Sequence, residues 1–151
     1  MTIKDDQLHF VLTRQLLYRA VQVADELLAQ SVGDSITSRQ LSILHTVDSL
    51  DKPTQKQIIA VTGIDRSTVS DITARLVKRG WLSRRRAPTD ARRYAVKLTP
   101  AGKQVLKEVL PVAEKSDCQF LAALTVKEQE QLIDLLQKIC VSLPLQNLQK
   151  A

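Results

Sequence analysis

The chain has 151 residues, 44% hydrophobic and only 3% aromatic, which fits one ordinary domain, or two small ones closely joined, packed mainly by aliphatic helices. Its net charge of +6 is uneven: residues 52–107 carry 14 Lys/Arg against three acids, while residues 1–51 carry four against seven and residues 108–151 four against six. A basic module between acidic flanks points to a polyanionic partner, and the absence of a secretory signal or of any apolar run near the roughly 18 residues of a membrane span leads us to expect a cytoplasmic chain with no membrane partner.

The first helix is predicted over roughly residues 6–30, where Leu8, Val11, Leu12, Leu16, Ala20, Val23, Ala24, Leu27 and Leu28 recur at three- and four-residue spacing, and Gly33 and Asp34 end it. Thr37-Ser-Arg-Gln40 is a capping box that opens a second helix with Leu41, Leu44, Val47 and Leu50 facing inward. Thr54-Gln-Lys-Gln57, after Pro53, opens a short third helix with Ile58, Ile59 and Val61. Gly63 supplies a turn, and Asp65 is placed to cap a fourth helix by accepting from the amide of Ser67 or Thr68. Val69, Ile72, Leu76 and Val77 share one face of that helix; Arg66, Ser67, Thr68, Ser70, Asp71, Thr73, Arg75, Lys78 and Arg79 are left outside.

After Gly80, residues 81–86 and 93–98 read as two strands of a hairpin bounded by Pro88, Thr89 and Asp90. Tyr94, Val96 and Leu98 are expected to face a core, and Arg93, Ala95 and Lys97 to face water or DNA. A fifth helix begins at Thr99-Pro-Ala-Gly102 and runs to about residue 124, with a kink expected at Pro111. Thr125-Val-Lys-Glu128 opens the last helix, whose apolar stripe is Leu132, Leu135, Leu136 and Ile139.

The hydroxyl-rich helix running into a basic hairpin is how a winged helix-turn-helix reads. Short Ser and Thr side chains let a helix approach a groove floor, and arginine reaches guanine edges or clamps phosphate. The candidate DNA-binding set is Gln55, Lys56, Arg66, Ser67, Thr68, Ser70, Asp71, Arg75, Arg84, Arg86, Arg92 and Arg93. Asp90 is an acid in a basic hairpin tip: it either pairs with Arg92 and braces the wing or serves only to form the turn.

Enzyme chemistry finds no footing. The four glycines, at 33, 63, 80 and 102, form no phosphate-binding loop, and the two histidines, at 9 and 45, have no evident nucleophile or base partner. Cys118 and Cys140 lack a CxxC or Cys/His pattern, so neither a disulfide framework, a metal site nor a cofactor is expected, and both read as small buried hydrophobes.

Asp65-Arg-Ser-Thr-Val-Ser, then Arg75-Leu with Gly80, and Asp90-Ala-Arg92 ahead of Leu98-Thr99 and Gly102 resemble the MarR family (multiple antibiotic resistance regulators) of bacterial transcription factors over the whole chain. The resemblance implies a mainly α fold with a small β-hairpin wing, in which a winged helix-turn-helix is flanked by N- and C-terminal dimerisation helices. On this chain the DNA-binding domain would be 36–99, and the dimerisation domain 1–35 with 100–151. It implies a homodimer on pseudo-palindromic double-stranded DNA, acting as a repressor released by a small aromatic or anionic effector bound between the two parts.

Dimerisation is a physical expectation too, since the C-terminal stripes exceed what a small core needs; residues 143–148 and the start of the first helix are expected at the interface. His9, Arg14, Tyr18 and His45 are the effector-binding candidates, a histidine being able to bind an acid group. Two alternatives stand beside this reading: a non-specific architectural DNA-binding protein, and a cysteine-based redox sensor, with Lys115 and Lys138 as the nearby cations that would activate a thiol.

Overall fold

The computed structural model describes residues 6–87 and 90–142, with side chains for 12–86 and 94–142. Its order is α1 (Asp6–Val32), a 3-10 turn (Gly33–Ser35), α2 (Ser38–Leu50), α3 (Gln55–Thr62), α4 (Arg66–Lys78), β1 (Leu82–Ala87), β2 (Asp90–Leu98), α5 (Pro100–Phe120) and α6 (Val126–Ser142). The predicted winged-helix class holds. The first helix runs two residues further than the periodicity implied, and α5 ends sooner, at Phe120, continuing through Pro111.

The helix starts form where the caps stand. Gln40 donates its amide to Thr37 Oγ1 while its side chain accepts from the Thr37 amide, and the same reciprocal pair forms at Thr54 with Gln57 and at Thr125 with Glu128. α4 ends in a paired cap: Gly80, at φ +77°, donates to the Val77 carbonyl and Trp81 donates to the Leu76 carbonyl. That left-handed position is cheap only for glycine.

One apolar core joins Ile36, Ile43, Leu44 and Val47, Ile58 of α3, Val69, Ile72 and Leu76 of α4, Leu82, Val96 and Leu98 of the hairpin, and Leu106 of α5. β1 and β2 pair antiparallel, with Leu82 opposite Leu98 and Arg84 opposite Val96. The chain before α3 adds a third edge: the Val96 amide donates to the Pro53 carbonyl and Thr54 bridges Ala95. α1 packs along α5.

Several inward assignments are corrected by this packing. Ala95 is buried because the Pro53–Thr54 edge covers it, and Tyr94 is exposed because it lies beyond the end of the core. Leu50 and Val61, near the last turns of α2 and α3, extend past the core and are exposed. Thr73, expected outside, is buried on the core side of α4, next to the Ile72 and Leu76 positions, and its Oγ1 has no hydrogen-bond partner among the described residues. Cys118 and Cys140 are exposed rather than buried: Cys118 lies off the side of α5 that buries Ala113 and Ser116, and Cys140 is on α6, which projects from the core. No described residue of α6 is buried, and no described helix is long and apolar enough to cross a membrane.

α5 is seated on the hairpin root. The Thr99 amide donates to the Trp81 carbonyl at 3.0 Å, the Thr99 hydroxyl donates to the Gly80 carbonyl at 2.5 Å, and Thr99 Oγ1 accepts from the Gly102 amide. A methyl group at Gly102 would overlap the Trp81 carbonyl oxygen. Gly102→Ala is therefore expected to lower the free energy of unfolding by about 2 kcal/mol or more, as overpacking against backbone does, in urea titrations followed by circular dichroism. Thr73→Val, which keeps the shape and removes an unsatisfied hydroxyl, is expected to raise it by about 1 kcal/mol; a loss of that size would show that the hydroxyl is satisfied.

Candidate nucleic-acid interface

α4 is built to present a polar side. Its apolar residues Val69, Ile72 and Leu76 are buried, which turns Ser67, Ser70, Asp71, Ala74 and Lys78 to the opposite side, all exposed. Asp65 anchors the start of the helix: its Oδ1 accepts from the Thr68 amide at 2.9 Å and the Ser67 hydroxyl at 2.7 Å. Hydrogen bonds from Thr68, through side chain and amide, and from Ser67 hold the Asp65 carboxyl well below the usual carboxylate range. Gln55 reaches across from α3 and donates to the Arg66 carbonyl at 3.4 Å, so this candidate acts in part by fixing the two helices together.

β1 packs beside α4 and carries Arg84, Arg85 and Arg86, all exposed. The pairing register puts Arg84 and Arg86 on the side of Val96 and Tyr94, and Arg85 on the side of Ala95. Lys56 and Arg66 are exposed at the starts of α3 and α4. Arg85, Lys78 and Ala74 were missing from the sequence-based set. Arg85 is exposed although it pairs opposite the buried Ala95. Ala74 carries no polar signal, yet its small side chain lies at the centre of the exposed ridge and permits close approach. Arg92, Arg93 and Asp90 belong to β2 by backbone, but their side chains lie outside the described residues, and with them the proposed Asp90–Arg92 brace.

The polar side of α4 is divided. Thr68, Asp71 and Arg75 lie on its flank toward α1 and line a hollow of about 620 Å³, opposite Asp25 and Glu26 of α1 and Arg39 of α2. A second hollow of about 470 Å³ adjoins it, lined by Tyr18 and Val21 of α1, Ser42 of α2 and Ile64, and sharing Gln22, Asp25, Ser38 and Arg39 with the first. Of the four effector candidates, Tyr18 alone is found at a hollow. Arg14 and His45 are exposed and line neither: Arg14 lies one turn before Tyr18 on the same face of α1, His45 one turn past Ser42 on α2, and the His9 side chain lies outside the described residues. Arg39, which lines both hollows, has no periodicity or motif to single it out; only the packing of α2 on α1 does.

Known proteins share this fold. A profile described as the MarR family matches residues 34–93. Transcriptional regulator HosA of Escherichia coli O111:H- is 29% identical over 106 residues, spanning 69% of this chain and 77% of HosA. Bordetella bronchiseptica BpsR, whose solved structure is described as explaining regulation of its DNA binding by 6-hydroxynicotinic acid, is 29% identical, with a TM-score of 0.78 over 85% of this chain and 98% of BpsR. A mutant of Escherichia coli MarR complexed with operator DNA has a TM-score of 0.79 at 25% identity, covering 90% of this chain and 99% of that one.

Because the folded-state pKa of Asp65 is depressed, its capping contribution is complete above the ordinary value of 3.8 and is lost as the pH falls below that toward the folded value. Asp65→Ala is accordingly expected to lower Tm at neutral pH, with the gap to the parent chain narrowing only below 3.8. A gap that narrows between pH 7 and 5 would assign the cap to another group.

Proposed function

The chain belongs to the MarR family of transcriptional regulators, which are not enzymes, and on that footing we propose that it is a dimeric repressor that reads a pseudo-palindromic operator and is released by a small ligand. The observation that carries the reading is the exposed ridge of α4 capped at Asp65, with Arg84, Arg85 and Arg86 of β1 exposed beside it. α4 would enter the major groove, with Thr68, Ser67, Ser70 and Arg75 at base edges, while the hairpin arginines follow the phosphates and the narrow minor groove. The operator complex of the related MarR protein supports this placement.

A second copy of the chain would cover the apolar side chains left exposed in one. Leu16, Leu17, Val21 and Val23 of α1, and Ile133, Leu135 and Ile139 of α6, are all at least 45% exposed. Exposure of that many large aliphatic side chains supports an interface. The proposed division is residues 1–35 with 100–151 for dimerisation and 36–99 for DNA binding; residues 143–148, expected at the interface, lie outside the described residues. Two-fold symmetry would set the half-sites roughly 10 base pairs apart.

The ligand would occupy the paired hollows between α1, α2 and α4, with Arg39 as the cation for an acid group and Tyr18 as the aromatic wall. The acid regulating BpsR supports an anionic aromatic class. Thr68, Asp71 and Arg75 line the larger hollow, so a ligand there meets the reading helix itself.

Footprinting on genomic fragments selected by the purified protein is expected to show a protected palindrome near a promoter; uniform protection would favour an architectural protein. On that operator, Arg84→Ala is expected to weaken binding across sequences and reduce the salt slope by about 1, whereas Thr68→Ala changes base preference. Sedimentation is expected to show a dimer at micromolar concentration, and a monomer there would overturn the assembly.

A further inference from the structure

Arg79 closes α4, and its guanidinium is held twice. Nη1 donates to the Ser35 carbonyl at 2.9 Å, and the group lies over the Trp81 ring, 4.8 Å from its centroid. Ser35 ends the 3-10 turn that joins α1 to α2, and Trp81 offers the carbonyl on which α5 is seated. A single side chain thus touches the α1–α2 junction, the end of α4 and the root of the hairpin. Among the described residues it makes the one hydrogen bond between that 3-10 turn and α4. The bond spans the same gap as the larger hollow, whose walls include Gly33, Asp34 and Ile36 on one side and Arg75 on the other.

We propose that Arg79 is a positioning residue, a latch that fixes the angle between α1 and the reading helix, and with it the separation of the two α4 helices in the dimer, without touching DNA. The inference rests on the dimeric reading above. α1 has 27 residues and is about 40 Å long, so a small rotation at its junction displaces α4 appreciably against a partner held at the far end. The contact needs a planar fork: one nitrogen donates while the plane stacks on an indole, which an ammonium cannot reproduce. Its position at the C-terminal end of α4 also suits a cation.

The test starts by selecting a bipartite site from random DNA with the parent protein. Affinity is then measured on that site and on versions with one base pair added or removed between the half-sites, for the parent, Arg79→Ala and Arg79→Lys, with melting curves and salt slopes alongside. Both variants are expected to melt as folded proteins and to lose roughly tenfold in affinity on the selected spacing, the size of a charge-assisted hydrogen bond. They are expected to lose less on the altered spacings, so that spacing preference flattens while the salt slope holds. Equal loss on every spacing with a salt slope lower by about 1 would make Arg79 a phosphate contact and overturn the latch. So would parent-like binding by Arg79→Lys, which keeps the charge, or a lowered Tm with unchanged affinity. If the parent selects no bipartite site, the dimeric reading fails at that first step and the latch falls with it.

Discussion

The Trp81 carbonyl is the point on which the two ends of the molecule meet. It accepts from the Thr99 amide, while the Thr99 hydroxyl donates to the neighbouring Gly80 carbonyl, and Gly102 lies so close that no side chain fits between it and the Trp81 oxygen. The carbonyl belongs to the residue just past the left-handed Gly80 that ends α4, so the termination of α4 and the initiation of α5 are one event. Leu106, one turn further on, is buried in the same core as Leu76 and Leu82. Rigid seating of α5 in turn places α1, which packs along it.

Local chemistry made much of this fold legible. Four threonines and an aspartate, each with a donor amide three residues on, define five helix starts, and the structure forms all five caps. Alternation and periodicity failed where a distant segment intervenes. Ala95 is buried by the Pro53–Thr54 edge, which sits 41 residues away in the chain, and strand period says nothing of such a neighbour. Thr73 is polar but lies at the edge of the inward arc beside Val69, and a hydroxyl gave no warning of its side. The exposed ridge of α4 could be read from spacing. Its division into an outer ridge and a flank facing α1 could not, because it depends on where α1 lies.

The distribution of charge takes on a spatial meaning once the elements are placed. The acidic N-terminal third is not merely appended to the basic module: Asp25 and Glu26 of α1 and Asp34 line the larger hollow together with Arg39 and Arg75. None of these forms an ion pair within 4.0 Å among the described residues, where Lys52 with Asp51 is the close pair. The hollow therefore keeps both signs of charge available in its lining, and a bound molecule would meet them directly.

Thr68, Asp71 and Arg75 belong at once to the polar side of α4 and to the wall of that hollow. Evolution cannot retune one surface through these three positions without disturbing the other. On the proposed reading, a lineage that drifts to a new operator by changing them would inherit an altered response to its effector, and one that acquires a new effector would inherit altered target genes. Independent adjustment is left to side chains that belong to only one surface, such as Lys78 on the ridge or Tyr18 in the smaller hollow.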